Sequence, residues 1–143
     1  MNFIVSRLED WDLVAKAVAN MLSPGSVLAL SGPLGAGKTT FVQSLAWVLG
    51  SKDKPRSPTF SLVRSYKTGH PSIKQLVHVD AYRIEEEQDV LALGLEEYLE
   101  DPGTVMAVEW PEQIPSWVSS QKHVIRMQIE PDRKGDVRRI RIA

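Results

Sequence analysis

Three glycines, a lysine and two threonines stand together in Gly32-Pro33-Leu34-Gly35-Ala36-Gly37-Lys38-Thr39-Thr40, the strongest chemical signal in the chain. Glycine tolerates backbone angles that side chains forbid, and it lets the chain come close to an anion. Successive amide N–H groups can then converge on phosphate oxygens, helped by a helix that starts near Lys38. The Lys38 ammonium suits the β- and γ-phosphates of ATP, and the Thr39 hydroxyl suits a Mg²⁺ ion bound with them. Gly35, Ala36, Gly37, Lys38, Thr39 and Thr40 are the expected phosphate-binding set. A glycine-rich turn with an incidental lysine is the competing reading. Context opposes it, because the apolar run Val27-Leu28-Ala29-Leu30 precedes the loop and an amphipathic segment follows.

Turnover needs more than a phosphate loop: a further contact to Mg²⁺ and a group that orients water. Asp80 ends the run Leu76-Val77-His78-Val79, and Glu109 ends Val105-Met106-Ala107-Val108. In a parallel sheet the carboxyl ends of the strands border the ligand crevice. Both carboxylates are therefore expected near the γ-phosphate, one holding Mg²⁺ and the other positioning water. Spacing does not divide these tasks. Lys38, Asp80 and Glu109 form the expected catalytic group, and Thr39, Asp80 and Glu109 the expected metal ligands. The plain alternative for either acid is a strand end at the surface.

Other polar residues carry weaker signals. Thr59, in Ser57-Pro58-Thr59-Phe60, has the setting of a switch threonine that senses the γ-phosphate, or of a turn hydroxyl after proline. Arg83 has the charge to neutralise a transition state, or to make a surface pair. Trp110 suits stacking on a base or partner, or filling the core. His78, among apolar neighbours, reads as a satisfied structural histidine and not a metal ligand. Arg133, Lys134, Arg138, Arg139 and Arg141 are interleaved with Glu130, Asp132, Asp136, Ile140 and Ile142, which fits a solvated strand face better than an RNA site.

Regular elements must hold these groups in place. Residues 2–5 read as a strand. Ser6 and Glu9 have capping-box spacing, so a helix is expected from Ser6, with Trp11, Val14, Ala15, Val18, Met21 and Leu22 inward and a stop at Ser23-Pro24-Gly25. Residues 26–31 read as a buried strand and 38–49 as a helix with Phe41, Val42, Leu45, Ala46 and Leu49 inward. Residues 60–66 and 75–81 read as strands joined through Gly69-His70-Pro71. Residues 85–93 and 95–100 read as helical, interrupted at Gly94, and 104–108 as another buried strand. Residues 124–130 and 137–142 alternate apolar with polar and predict a closing antiparallel pair. The expected fold class is α/β, in three layers, with a mainly parallel sheet.

Composition sets outer limits. The length of 143 residues suits one domain, residues 1–143, and the absence of cysteine excludes disulfides and thiolate chemistry. A net charge of −1 gives no global positive field for nucleic acid. The first ten residues lack a secretory pattern and no apolar run is long enough for a bilayer, so a cytoplasmic protein without membrane contact is expected.

The pieces Leu34-Gly35-Ala36-Gly37-Lys38-Thr39-Thr40-Phe41, Ser57-Pro58-Thr59-Phe60, His78-Val79-Asp80-Ala81-Tyr82-Arg83, Gly94-Leu95-Glu96-Glu97-Tyr98 and Val108-Glu109-Trp110-Pro111-Glu112 together resemble the bacterial ATPase family of tRNA threonylcarbamoyladenosine biosynthesis, the TsaE type. The resemblance implies a compact P-loop NTPase domain and a slow, Mg²⁺-dependent ATPase. It implies partners: the heterodimer that transfers a threonylcarbamoyl group to adenosine in tRNA, with tRNA met through that complex. It carries over Lys38, Thr39, Asp80 and Glu109 as site residues, Thr59 as switch-like, and Trp110 as close to the nucleotide. Pro33 departs from the family pattern, where an acidic residue is common, and residues 52–56 are unusually basic. Alternatives remain at this stage. A small-molecule kinase shares the phosphate loop, but few arginines beyond Arg83 lie between Asp80 and Glu109. A regulatory GTPase lacks its Asn-Lys-x-Asp guanine reader here, and a non-catalytic nucleotide-binding partner protein is a fourth reading.

Overall fold

The computed structural model describes residues 1–53 and 62–143. Its strands are β1 (Asn2–Val5), β2 (Val27–Ser31), β3 (Val63–Lys67), β4 (Gln75–Asp80), β5 (Thr104–Glu109), β6 (Val124–Pro131) and β7 (Arg138–Ile142). Strands β2 and β5 carry the unbroken apolar runs 27–30 and 105–108 because both of their faces are covered. Leu28 and Leu30 of β2, with Val105 and Ala107 of β5, enter one core. Val27, Ala29, Met106 and Val108 enter a second core on the opposite face. Seven strands form one sheet in the order β1-β7-β6-β2-β5-β4-β3. Its centre, β6-β2-β5-β4, is parallel. Its edges are antiparallel, with β3 on β4 and β7 between β6 and β1.

Helices α1 (Asp10–Met21) and α2 (Lys38–Val48) cover one face, through Trp11, Val14, Val18, Phe41, Val42 and Leu45. Burying each of the larger apolar side chains stabilises by about 1.5–3 kcal/mol. The other face receives α3 (Leu95–Glu100), α4 (Pro115–Ser119) and a 3-10 segment at Glu87–Leu93, through Val90, Leu95 and Val118. The result is the expected three-layer α/β fold with a mainly parallel sheet and antiparallel C-terminal strands.

Several boundaries differ from the sequence reading. The first helix begins at Asp10, not Ser6. The Asp10 carboxylate accepts the backbone N–H groups of Ser6 at 2.9 Å and Arg7 at 3.0 Å, so the residues before it form a turn. Met21 ends this helix 38% exposed instead of in the core. Residues 85–93 yield a 3-10 segment from Glu87 in which Val90 alone is buried. One inward side chain does not make the apolar stripe that holds an α-helix on a sheet. Helix α4 was not anticipated: it is five residues long and opens with a proline. The expected strand at residues 60–66 is described only from Leu62 on, where β3 runs Val63–Lys67. Among the described residues no helix is long and apolar enough to cross a membrane.

Candidate nucleotide and cation site

Side-chain alternation explains why the polar groups meet. In the parallel pair β4–β5, His78 stands opposite Ala107 and Asp80 opposite Glu109. Leu76, Val105 and Ala107 belong to the core beneath α1 and α2, so His78, Asp80 and Glu109, each at an even spacing from one of them, face the same side. Helix α2 starts on that side, directly after the loop that follows β2. Its first two residues are Lys38 and Thr39.

The loop turns on glycines that side chains would block. Gly37 has φ +111°, and a Cβ there would lie 2.6 Å from Cζ2 of Trp11. A Cβ on Gly32 would lie 2.7 Å from the Ile129 carbonyl oxygen. The buried Lys38 side chain folds across the loop. Its ammonium donates to the carbonyl of Gly32, and to that of Pro33 at 3.3 Å, and sits 3.7 Å from the centroid of the Trp110 ring. Burial lowers the Lys38 pKa from the ordinary 10.5, while the carboxylates of Glu109, Glu112 and Asp80 pull it upward. The ammonium is thus poorly hydrated and surrounded by carbonyls, a ring face and acids, a setting in which a phosphate gains more than in water.

Glu109 lies at the floor, 4% exposed. The Thr39 hydroxyl donates to its Oε2 at 2.9 Å, with Oε1 at 3.2 Å, and His78 Nε2 is 2.5 Å from the same Oε2. Asp80 is half-buried, and its Oδ1 accepts the N–H of Tyr82 at 3.0 Å. Above them opens a cavity of about 340 Å³. Gly35, Gly37, Lys38, Thr39 and Thr40 line it from the loop and α2, and Asp80, Glu109 and Trp110 from the strand ends. Ala36, also expected in the phosphate-binding set, does not line the cavity; it is buried, and its N–H donates to the Pro33 carbonyl at 3.1 Å. Thr59 lies outside the described residues.

The structure adds residues to this set. Tyr82 packs its ring on that of Trp110, centroids 5.0 Å apart, and lines the cavity with Leu62; Arg83, already a candidate from the sequence, lines it too. Trp110 alone among the described non-glycine residues has positive φ, +60°. That conformation costs such a residue on the order of 1 kcal/mol. Here it brings the indole over Lys38. The spacing of Asp80 and Tyr82, two apart, was the available signal for Tyr82. His78 is buried as expected, yet only half satisfied: Nε2 has Glu109, and Nδ1 has no partner among the described residues.

The donor set fits a phosphate chain with Mg²⁺. No group of three or more His, Cys, Asp or Glu side chains among the described residues is placed to hold a metal ion by itself. Mg²⁺ is commonly held by one or two carboxylates, a hydroxyl, water and substrate phosphates, and Thr39, Glu109 and Asp80 offer that partial shell. Within one cavity stand an ammonium for phosphate, a hydroxyl already oriented by a carboxylate, and a second carboxylate at the rim.

Known proteins share the sequence and the fold of this chain. The family model "Threonylcarbamoyl adenosine biosynthesis protein TsaE" matches residues 5–140. The tRNA threonylcarbamoyladenosine biosynthesis protein TsaE of Bacillus subtilis is 40% identical over 128 residues, covering 90% of this chain and 75% of the relative. The protein of the same description from Nostoc sp. is 44% identical over 108 residues, covering 73% of this chain and 64% of that relative. The crystal structure of Bacillus subtilis YdiB superposes with a TM-score of 0.73 at 32% identity, covering 98% of this chain and 82% of the other. With a match running nearly end to end, the chain belongs to the TsaE family of threonylcarbamoyl adenosine biosynthesis proteins.

Proposed function

We propose that this protein is a Mg²⁺-dependent ATPase that serves the threonylcarbamoyl modification of adenosine in tRNA. In this reading it acts on the threonylcarbamoyl-transferring heterodimer, resets it between cycles, and meets tRNA through that complex in the cytoplasm. The observation that carries the reading is the Thr39 hydroxyl held at 2.9 Å on the buried Glu109 carboxylate, in the cavity that Lys38 lines.

The residues divide the work as follows. Lys38 and the amides of Gly37, Thr39 and Thr40 hold the phosphates. Thr39 supplies a hydroxyl oxygen to the cation, and Glu109 fixes that hydroxyl by accepting its proton in a hydrogen bond. Bound Mg²⁺ supplies charge neutralisation at the phosphate oxygens. Asp80 stands one strand across at the same level, half-buried at the rim, where a carboxylate orients water. Trp110 and Tyr82 wall the cavity. The kinase alternative finds no echo in the names of these relatives, which belong to the tRNA modification pathway.

The test is ATP turnover by the chain alone and with the transferase heterodimer and tRNA, each with Mg²⁺ and with a chelator. Turnover should rise with the partners and vanish with the chelator. Lys38→Ala should weaken triphosphate binding by about 100-fold or more, the scale of losing a buried charge-assisted contact of about 3 kcal/mol. Native protein without affinity for ATP at millimolar concentration would end the proposal.

A further inference from the structure

Outside the cavity lining, one buried polar group is tied to the chemistry. His78 is fully buried in the sheet, and its Nε2 touches the same Oε2 of Glu109 that Thr39 touches. An ionised carboxylate only accepts hydrogen bonds, so Nε2 carries the hydrogen. Nδ1 has no hydrogen-bond partner among the described residues. The geometry therefore makes Nε2 the donor to Glu109.

An orphaned nitrogen in the core is a standing cost that an apolar side chain would remove. The register shows what the histidine does for it. His78 and Glu109 are diagonal neighbours on adjacent parallel strands, which lets the ring reach the carboxylate from beneath. It occupies Oε2, leaving Oε1, among the described residues, with only the longer 3.2 Å contact to Thr39. We infer that His78 is a positioning residue: it clamps the Glu109 carboxylate from below, so that Thr39 and the open Oε1 are presented to the cation and phosphates. This inference rests on the ATPase reading above and adds to it the residue that sets the geometry of its carboxylate.

Glutamine places an amide N–H where Nε2 stands, whereas asparagine places one nearer Nδ1. The full chain carrying His78→Gln, His78→Asn or His78→Leu is compared with native protein. His78→Leu and His78→Asn should lower Mg²⁺-ATP turnover by about 10–100-fold and raise the Mg²⁺ concentration for half-maximal rate, the usual scale for losing a group that orients a ligand. His78→Gln should recover most of the rate. ATP affinity without Mg²⁺ should stay within about twofold in all three, since no phosphate contact is removed. A second measurement needs no turnover. The chain has three histidines, so long-range proton–nitrogen spectra resolve the ring of His78. Its Nε2–H resonance should be strongly downfield and should lose that shift in Glu109→Ala.

Folded His78→Leu with native turnover and native Mg²⁺ dependence would overturn the inference and leave the ATPase reading standing. So would a His78 ring protonated at Nδ1 alone, or one indifferent to Glu109→Ala. Native protein that neither binds nor hydrolyses Mg²⁺-ATP would instead sink the ATPase reading, and the inference with it.

Discussion

At the residue scale the site depends on close packing as much as on polar groups. Gly37 shows this. Its φ of +111° is open to glycine, and the space where a Cβ would go is taken by the ring of Trp11, itself buried against Phe41. Gly37→Ala forces either the loop or that ring to move. Backbone strain and displaced packing together should cost about 2–3 kcal/mol. Melting should then occur roughly 6–10 °C lower, and triphosphate affinity should fall because the amides on both sides of residue 37 are re-aimed. Calorimetric melting and titration with ATP check this. A variant that melts and binds like native protein would show that Trp11 yields freely and that the loop is looser than its contacts imply.

At the element scale, the start of α1 is set by a single side chain. Asp10 gathers the amides of Ser6 and Arg7, and these two hydrogen bonds, that of Ser6 foremost, hold its pKa below the ordinary 3.8. The charged form is the one the fold favours. Its contribution is therefore fully present above pH 3.8 and is lost as pH falls through the lower folded-state value. Asp10→Ala should melt below native protein at pH 7, with a gap that holds down to pH 5 and closes under strong acid. A gap that stays constant from pH 7 to pH 2.5 would mean the carboxylate charge does not matter. The same residue shows why some boundaries were not legible in the sequence. Ser6 and Glu9 have capping-box spacing, but Asp10 takes the Ser6 amide that Glu9 would accept, and spacing does not rank competitors. Strands β2 and β5 were legible because burial on both faces writes an unbroken apolar run, and β4 because its run is broken only by His78. Asp80 and Glu109 were legible as the polar residues that end such runs. The contact of His78 with Glu109 was not, because it joins residues 31 apart and depends on strand register. Helix α4 was hidden for a related reason: Glu87, far away in sequence, accepts the N–H groups of Ser116 and Trp117 that open it.

At the scale of the whole molecule, the two ends of the chain close on the phosphate loop. Strand β1 pairs with β7, and the amino-terminal ammonium of Met1 donates to the Ile142 carbonyl at 3.0 Å. The β6–β7 hairpin then lies against the loop from behind. Ile129 stands against Gly32, and Arg138 Nε donates to the Ala36 carbonyl at 3.2 Å. Arg138 also donates to the Gly135 carbonyl at 2.9 Å, so its guanidinium ties the hairpin turn to the loop. Net charge and composition give no hint of this, because Arg138 sits in a run that reads as a solvated strand face. Its neighbour Arg139 points the other way and is exposed. Arg138→Ala should remove one supporting hydrogen bond worth about 1 kcal/mol and weaken ATP binding by about 3–10-fold, with little change in melting. Arg139→Ala, one residue along the same strand, should leave ATP affinity at the native value. Equal affinity in both variants and native protein would show that the loop holds its shape without the hairpin. A loss confined to Arg138→Ala would make the C-terminal strands part of the phosphate site, which places the determinants of nucleotide affinity about a hundred residues beyond the loop that contacts the phosphates.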